Sequence, residues 1–128
     1  MIATAFAVDP SVRWVAIGRP GEQPIAHYRP GVVALNGDAS DEAEERIANP
    51  AMISLARARG QWDLDGLRFI IVAYGKLTQI IIPLDQDSHV SCSLDAESEP
   101  WKIAGALASA LAPVKMAGAA SNKPQPVE

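Results

Sequence analysis

Three apolar segments separated by very short turns constrain the fold of this chain more than any other feature of its sequence. The segments comprise residues 67–74, 77–84 and 88–94. They are rich in β-branched residues and bounded by turn residues, which is typical of strands. A two-residue turn such as Gly75-Lys76 joins antiparallel neighbours, so the sequence predicts a three-stranded meander. Residues 67–74 are apolar on both faces, and we expect this strand to be central and covered on both sides.

The third segment of the meander alternates between apolar and polar side chains. Val90, Cys92 and Leu94 alternate with His89, Ser91 and Ser93. A period of two is that of a strand with one buried face. We therefore expect the apolar set to face the core and the polar set to face solvent.

A hairpin precedes the meander. Residues 12–18 and 24–29 have strand patterns, and the turn Arg19-Pro20-Gly21-Glu22 joins them. Pro24 donates no ladder hydrogen bond, so the second strand is expected at an edge of the sheet.

The segment between the hairpin and the meander predicts a helix. It begins at Ser40 or Asp41 and runs to about Arg59, where Gly60 is a natural end. Asn49-Pro50 predicts either a kink or two abutting helices, the second with Asn49 as its N-cap. Its apolar stripe is expected to contain Met52, Ile53, Leu55 and Ala56.

A last helix begins at Ser98-Glu99-Pro100 and ends near Ala112-Pro113, with an apolar stripe that starts at Trp101. The order is therefore β-β-α-β-β-β-α, with no long helix before the first strand. We expect one domain over residues 1–113. It is α/β in composition and α+β by sheet type, with helices packed on an antiparallel five-stranded sheet. Residues 114–128 are expected to form a disordered tail.

Charge and cysteine content exclude several function classes. The net charge is −4 and no run of Lys or Arg occurs, which argues against nucleic acid and anionic membranes as partners. The single cysteine forms no internal disulfide. No apolar run approaches the length needed to cross a bilayer, and the N-terminus lacks a secretory pattern. We expect a cytoplasmic protein.

No residue pattern supports a catalytic, cofactor or metal site. Cys92 is expected to be a buried structural residue, and the histidines His27 and His89 lack a third ligand at metal-binding spacing. Three aspartates lie on either side of the third segment of the meander and lack the pattern of a calcium loop. They are Asp85, Asp87 and Asp95. Three glutamates, Glu42, Glu44 and Glu45, suit a solvated first helical turn. We therefore predict no enzyme, no cofactor and no metal.

Two residues near the first strand of the meander are candidates for an interface or ligand contact. Trp62 lies in a polar connector and is interpreted either as a lid over the core or as an interface anchor. Arg68 interrupts an apolar strand. If that strand is central, Arg68 needs a carboxylate or a ligand anion beside it, because a buried lone charge is costly. The other interpretation is that its side chain extends to the sheet edge and reaches solvent.

The element order and the stretch Leu67-Arg68-Phe69-Ile70-Ile71-Val72-Ala73-Tyr74-Gly75-Lys76-Leu77 resemble the roadblock/dynein light-chain 7 family and its profilin-like relatives. The resemblance covers roughly residues 11–112. It implies a non-enzymatic regulatory or assembly domain that acts through protein–protein contacts, as a homodimer, with a small GTPase or another regulatory protein as partner.

Two other hypotheses stay open. The chain is alternatively a small-molecule sensor with a PAS-like or profilin-like pocket, in which Arg68, Tyr74 and Tyr28 line a cavity between sheet and helix. A third hypothesis is an enzyme of unrecognised type. It requires a cleft that gathers His27, His89 or Cys92 with a carboxylate.

Overall fold

A five-stranded antiparallel sheet with helices on both faces forms the core of the protein. The computed structural model describes residues 1–34, 37–85 and 88–122. The strands are β1 (Val12–Gly18), β2 (Ile25–Tyr28), β3 (Ile70–Ala73), β4 (Leu77–Pro83) and β5 (His89–Asp95). Their order across the sheet is β2-β1-β5-β4-β3. The hairpin, the meander and the predicted α+β class are confirmed.

The helices are α1 (Ile2–Val8), α2 (Asp38–Ala43), α3 (Asn49–Asp63) and α4 (Pro100–Asn122). A π-helical turn, Glu44–Ala48, joins α2 to α3. Residues 38–63 therefore form one continuous unit, which we call the central helix.

One face of the sheet, the apolar face, packs against α1 and α4 and forms the core. Val15 and Ile17 of β1 and Val90 and Cys92 of β5 are buried there, together with apolar residues of β4 and α4. The predicted inward orientation of Val90, Cys92 and Leu94 is confirmed.

The opposite face, the polar face, lies under the central helix. His89, Ser91 and Ser93 project from it and are all buried. The expectation that these residues face solvent is wrong. Glu45 of the central helix bonds His89 and Ser91, and the hydroxyl of Ser93 donates to Gln79 Oε1 of β4 at 2.7 Å.

The strand predicted to be central lies at an edge. β3 pairs only with β4 within the described residues and is four residues long, with half-buried side chains on both faces. The central strand is β5, which pairs with β1 on one side and with β4 on the other. The edge position predicted for β2 is confirmed.

The central helix passes through Asn49-Pro50 without ending. Proline removes a helical N–H and crowds the preceding turn, and the wider π-helical turn immediately before Pro50 accommodates both effects. Asn49 is the first residue of α3 and not its N-cap. Its side chain instead points back toward Glu45. The helix ends at Asp63, beyond the predicted end at Arg59.

Both ends of the chain are more helical than predicted. The seven-residue helix α1 precedes β1, and its buried residue Ala5 packs in the core. Helix α4 continues to Asn122 rather than ending near Ala112-Pro113, because the Ala-rich sequence beyond Pro113 favours helix. Residues 123–128 of the predicted tail lie outside the described residues. Among the residues that the structure describes, no helix is long and apolar enough to span a membrane.

Arg29 links α1 to the sheet by hydrogen bonds to backbone carbonyls. Its Nε donates to the carbonyl of Val12 at 2.7 Å, and its Nη2 donates to the carbonyls of Phe6 at 2.7 Å and Asp9 at 2.9 Å. The guanidinium also lies 5.2 Å from the centre of the Phe6 ring. One side chain therefore satisfies three backbone carbonyls around the end of α1.

Candidate functional site

A groove of about 690 Å³ separates the β1–β2 hairpin from the central helix. The central helix contacts β1 through its π-helical turn and β4 through α3, and the groove lies on the β2 side of these contacts. The hairpin turn from Arg19 to Pro24 forms one wall, and Arg46, Pro50, Ile53 and Ser54 form the other. Gly18, Glu45 and His89 complete the lining. We call this site the hairpin groove.

A buried carboxylate–histidine pair borders the hairpin groove. Glu45 is 2% exposed and His89 is 3% exposed. Glu45 Oε1 lies 2.7 Å from His89 Nε2. Glu45 Oε2 accepts hydrogen bonds from Asn49 Nδ2 at 2.8 Å and from the hydroxyl of Ser91. The carboxylate therefore has three hydrogen-bonding partners, as a buried charge requires.

The absence of a side chain at Gly18 lets this pair sit against β1. A Cβ placed on Gly18 would lie 2.4 Å from His89 Cε1 and 2.7 Å from Glu45 Oε1. Both distances are well inside van der Waals contact, so a larger residue would displace the pair. Gly18 is thus part of the site although it contributes no functional group.

The two ring nitrogens of His89 differ in their contacts. His89 Nε2 shares a hydrogen bond with Glu45 Oε1 at 2.7 Å. His89 Nδ1 is buried and has no hydrogen-bond partner among the described residues.

A smaller pocket of about 270 Å³ continues the hairpin groove along β2. It is lined by Trp14, Tyr28, Asp41 and Glu42, among others. The Tyr28 hydroxyl donates to Asp41, and the Trp14 and Tyr28 rings lie 6.4 Å apart at 47°. Tyr28 therefore closes this end of the groove.

The structure does not gather Arg68, Tyr74 and Tyr28 around one cavity. Tyr28 lies on edge strand β2, whereas Arg68 and Tyr74 flank β3 at the opposite edge. The Tyr74 hydroxyl donates to Glu44 Oε1 at 2.7 Å. Burial, followed by this hydrogen bond and the charge of Glu44, raises the pKa of Tyr74 to about 12. The Arg68 guanidinium lies 5.4 Å from the centre of the Phe69 ring and is exposed at the sheet edge.

Trp62 is 86% exposed, which excludes the lid interpretation. Leu55, expected in the buried stripe, is also exposed on α3 at 76%. Ile53 of the predicted stripe is buried, and the other buried residues of the central helix are Glu45, Asn49 and Gly60. Its solvent-facing side therefore carries large apolar groups.

The remaining candidate residues do not form a second site. Cys92 lies on the apolar face, and burial, then the charge of Glu45, raises its pKa to about 12. His27 is exposed and pairs with Val15, which places it on the apolar side of the sheet, opposite His89. In the part of the chain that the structure describes, no group of three His, Cys, Asp or Glu residues is placed to hold a metal ion.

The pair Glu45–His89 meets the requirement of the enzyme hypothesis, since it joins a histidine and a carboxylate beside a groove. The hydroxyl of Ser91 donates to the carboxylate and not to the imidazole. Among the described residues, neither ring nitrogen of His89 bonds a hydroxyl or thiol, as the nucleophile of a catalytic triad would require. Glu45 was wrongly placed in a solvated turn from its sequence. The spacing of Glu45, Asn49 and Ile53 at intervals of four was the available signal that one helix face is buried.

Comparison with solved structures identifies the fold. The chain resembles the roadblock/LC7 domain from Streptomyces avermitilis, with a TM-score of 0.61 and 12% identity over 89% of this chain and 93% of that one. It resembles MglC from Myxococcus xanthus with a TM-score of 0.60 and 13% identity over 91% and 97%. No family model matches the sequence, and no curated protein does. The predicted roadblock-like fold is confirmed.

Proposed function

We propose that this protein is a non-enzymatic regulatory or assembly domain that acts as a homodimer through the exposed side of its central helix and edge strand β3. Folds of this type serve regulatory protein–protein interaction. The observation that carries the proposal is an apolar stripe on a helix face that no described element covers. Trp62, the anchor of this stripe, was already a candidate contact from the sequence.

The stripe follows the period of an α-helix. Ile47, Leu55 and Trp62 are 71%, 76% and 86% exposed, and the exposed residues Ala51 and Ala58 lie between them. Intervals of three and four residues place all five on one face, which is the pattern of a helix that packs against another helix. A single exposed leucine needs no explanation, but a stripe along four turns is typical of an interface.

A second copy of the chain, packed antiparallel, is the occupant that we propose for this stripe. A twofold axis presents the same helix face on both copies, so the stripe of one copy packs against the stripe of the other.

Strand β3 would extend the same interface. It lies at an edge of the sheet and presents unpaired backbone groups to another chain. The Tyr74–Glu44 hydrogen bond ties one end of β3 to the central helix. At the other end, the amide of Gly66 donates to the carbonyl of Gly60 at 3.0 Å. Arg68 and Tyr74, at the two ends of β3, would then contact the second copy.

The test is the mass of the full chain by light scattering coupled to size exclusion, across a hundredfold range of concentration. We expect a constant dimer mass for the natural sequence. Trp62→Glu places a charge within the dimer contact and is expected to give a monomer with unchanged far-UV circular dichroism.

Ile25→Glu is the matched control, because Ile25 is an exposed apolar residue on the opposite edge strand. It should leave the dimer intact. A natural chain that stays monomeric at the highest concentration would contradict the proposal, and so would a dimer that Ile25→Glu disrupts and Trp62→Glu does not.

A further partner is proposed on the resemblance alone. It is a small GTPase or another regulatory protein, in the cytoplasm. The sensor hypothesis in its first form loses its pocket, because Arg68, Tyr74 and Tyr28 lie at opposite edges of the sheet.

A further inference from the structure

We infer that a second copy supplies the anion that Arg68 lacks in its own chain, so that Arg68 of each copy contacts Tyr74 and Glu44 of the other across paired β3 strands. The inference rests on the proposed dimer and specifies its register. It comes from two features of β3, which are an uncompensated charge at each end and the direction of its outward backbone groups.

Opposite charges lie at the two ends of β3. Arg68, two residues before the strand, is exposed, and its guanidinium lies 5.4 Å from the centre of the Phe69 ring. At the other end, Glu44 Oε1 accepts the hydrogen bond of the Tyr74 hydroxyl at 2.7 Å. Within the part of the chain that the structure describes, neither Arg68 nor Glu44 forms an ion pair. An antiparallel pair of β3 strands brings the cationic end of each copy beside the anionic end of the other.

The ladder with β4 decides which backbone groups of β3 point outward. The Tyr74 amide donates to the Leu77 carbonyl at 2.9 Å, so these two residues form a hydrogen-bonded pair. Such pairs alternate along an antiparallel ladder, which makes Val72 the next residue bonded to β4. The amides and carbonyls of Ile71 and Ala73 therefore point away from β4, toward an incoming strand.

Two symmetric registers use these outward groups and overlap most of β3. In the first, Ile71 lies opposite Ile71 of the second copy, and in the other, Val72 lies opposite Val72. Along the paired strands, the first register places Arg68 opposite Tyr74 of the second copy, whereas the other places it opposite Lys76. Facing residues stabilise a sheet through cation–π contacts and opposite charges, and like charges directly opposite destabilise it. The first register is therefore favoured, and it brings Arg68 beside the carboxylate that Tyr74 binds.

Single cysteines on β3 test the register under mild oxidation of the full chain. Hydrogen-bonded residues directly opposite each other have Cα atoms about 5.5 Å apart, within disulfide range, whereas diagonal neighbours lie about 7–8 Å apart and outside it. Ile71→Cys is therefore expected to form a disulfide-linked dimer, and Val72→Cys at least about tenfold less of it. The natural chain is the control, because its only cysteine, Cys92, is buried.

Charge reversal tests the contact of Arg68 itself, through the dimer dissociation constant measured by light scattering. Arg68→Glu replaces attraction by repulsion at both ends of the paired strands and is expected to raise this constant about tenfold. Glu44→Arg in the same chain should restore most of the affinity. Arg19→Glu makes the same change of charge in the hairpin turn next to the opposite edge strand, and it should leave the constant unchanged.

A natural chain that stays monomeric would refute the proposed dimer and this register with it. A dimer that cross-links through Val72→Cys and not through Ile71→Cys would overturn the inference alone. A dimer that Arg68→Glu leaves unchanged or tightens would also overturn it, because a facing Lys76 predicts tighter association. If a cysteine variant fails to fold, the charge reversal of the exposed Arg68 still decides.

Discussion

Replacement of Gly18 by alanine should destabilise the protein strongly, although it adds one methyl group. That methyl would lie 2.4 Å from His89 Cε1 and 2.8 Å from His89 Nε2. The imidazole must therefore move by about 1 Å to reach ordinary contact. It cannot do so freely, because it is buried and bonded to Glu45 at 2.7 Å.

The magnitude follows from two terms. Overpacking a well-packed interior costs about 1–3 kcal/mol. Loss of a hydrogen bond to a charged group costs about 1.5–3 kcal/mol more. The two costs do not add in full, because a movement of the imidazole that relieves the clash is the same movement that weakens its hydrogen bond to Glu45. We therefore expect a loss of about 2–4 kcal/mol from the free energy of unfolding. That is a large share of the stability of a typical domain, which is about 5–15 kcal/mol.

Urea unfolding followed by circular dichroism measures this change. Gly105→Ala is the matched control, because Gly105 lies exposed in α4 with no atom within 4 Å of its added Cβ. The same substitution there should stabilise by about 0.5–1 kcal/mol through helix propensity. In a His89→Ala background the cost of Gly18→Ala should largely vanish. A loss below about 0.5 kcal/mol, or an equal loss in both backgrounds, would refute the reasoning.

Two further predictions concern the apolar face and the N-terminal helix. The pKa of Cys92 is raised from 9.0 to about 12 by burial, so the unfolded chain loses its thiol proton first and stability falls as pH rises between about 9 and 12, by up to about 1.4 kcal/mol per pH unit. Cys92→Ala should flatten this decline in urea titrations across that range, and parallel curves would contradict it. Arg29→Ala removes three hydrogen bonds to carbonyls and should cost about 2 kcal/mol, with faster amide hydrogen exchange in α1. Unchanged exchange in α1 would mean that other contacts hold this helix.

Local features of the sequence predicted the hairpin and the meander, because short turns join only antiparallel neighbours. They did not predict the order across the sheet. The apolar composition of residues 67–74 indicated a central strand, yet β3 lies at an edge. Side chains half-buried on both faces of an edge strand produce the same composition as a central strand.

The burial of Glu45 could not be predicted from the residues near it in the sequence. The sequence predicts that the acids near the start of the central helix are exposed to solvent, where the helix dipole favours negative charge. This prediction holds for Glu42 but not for Glu45. Glu45 is buried because His89 and Ser91, more than forty residues away, lie beneath it. The burial of Glu45 depends on the packing of segments that are distant in the sequence, and no short stretch of sequence contains that information.

The pairing of β1 with β5 also has a consequence for synthesis of the chain. β1 begins at Val12, but its partner on one side is complete only at Asp95. While the chain grows on the ribosome, the apolar side chains of β1 have only helix α1 and the short strand β2 beside them. Closure of a loop this long slows folding and exposes apolar surface in the meantime. Among the described strands, β1 therefore waits for a partner strand that is more than seventy residues away in the sequence.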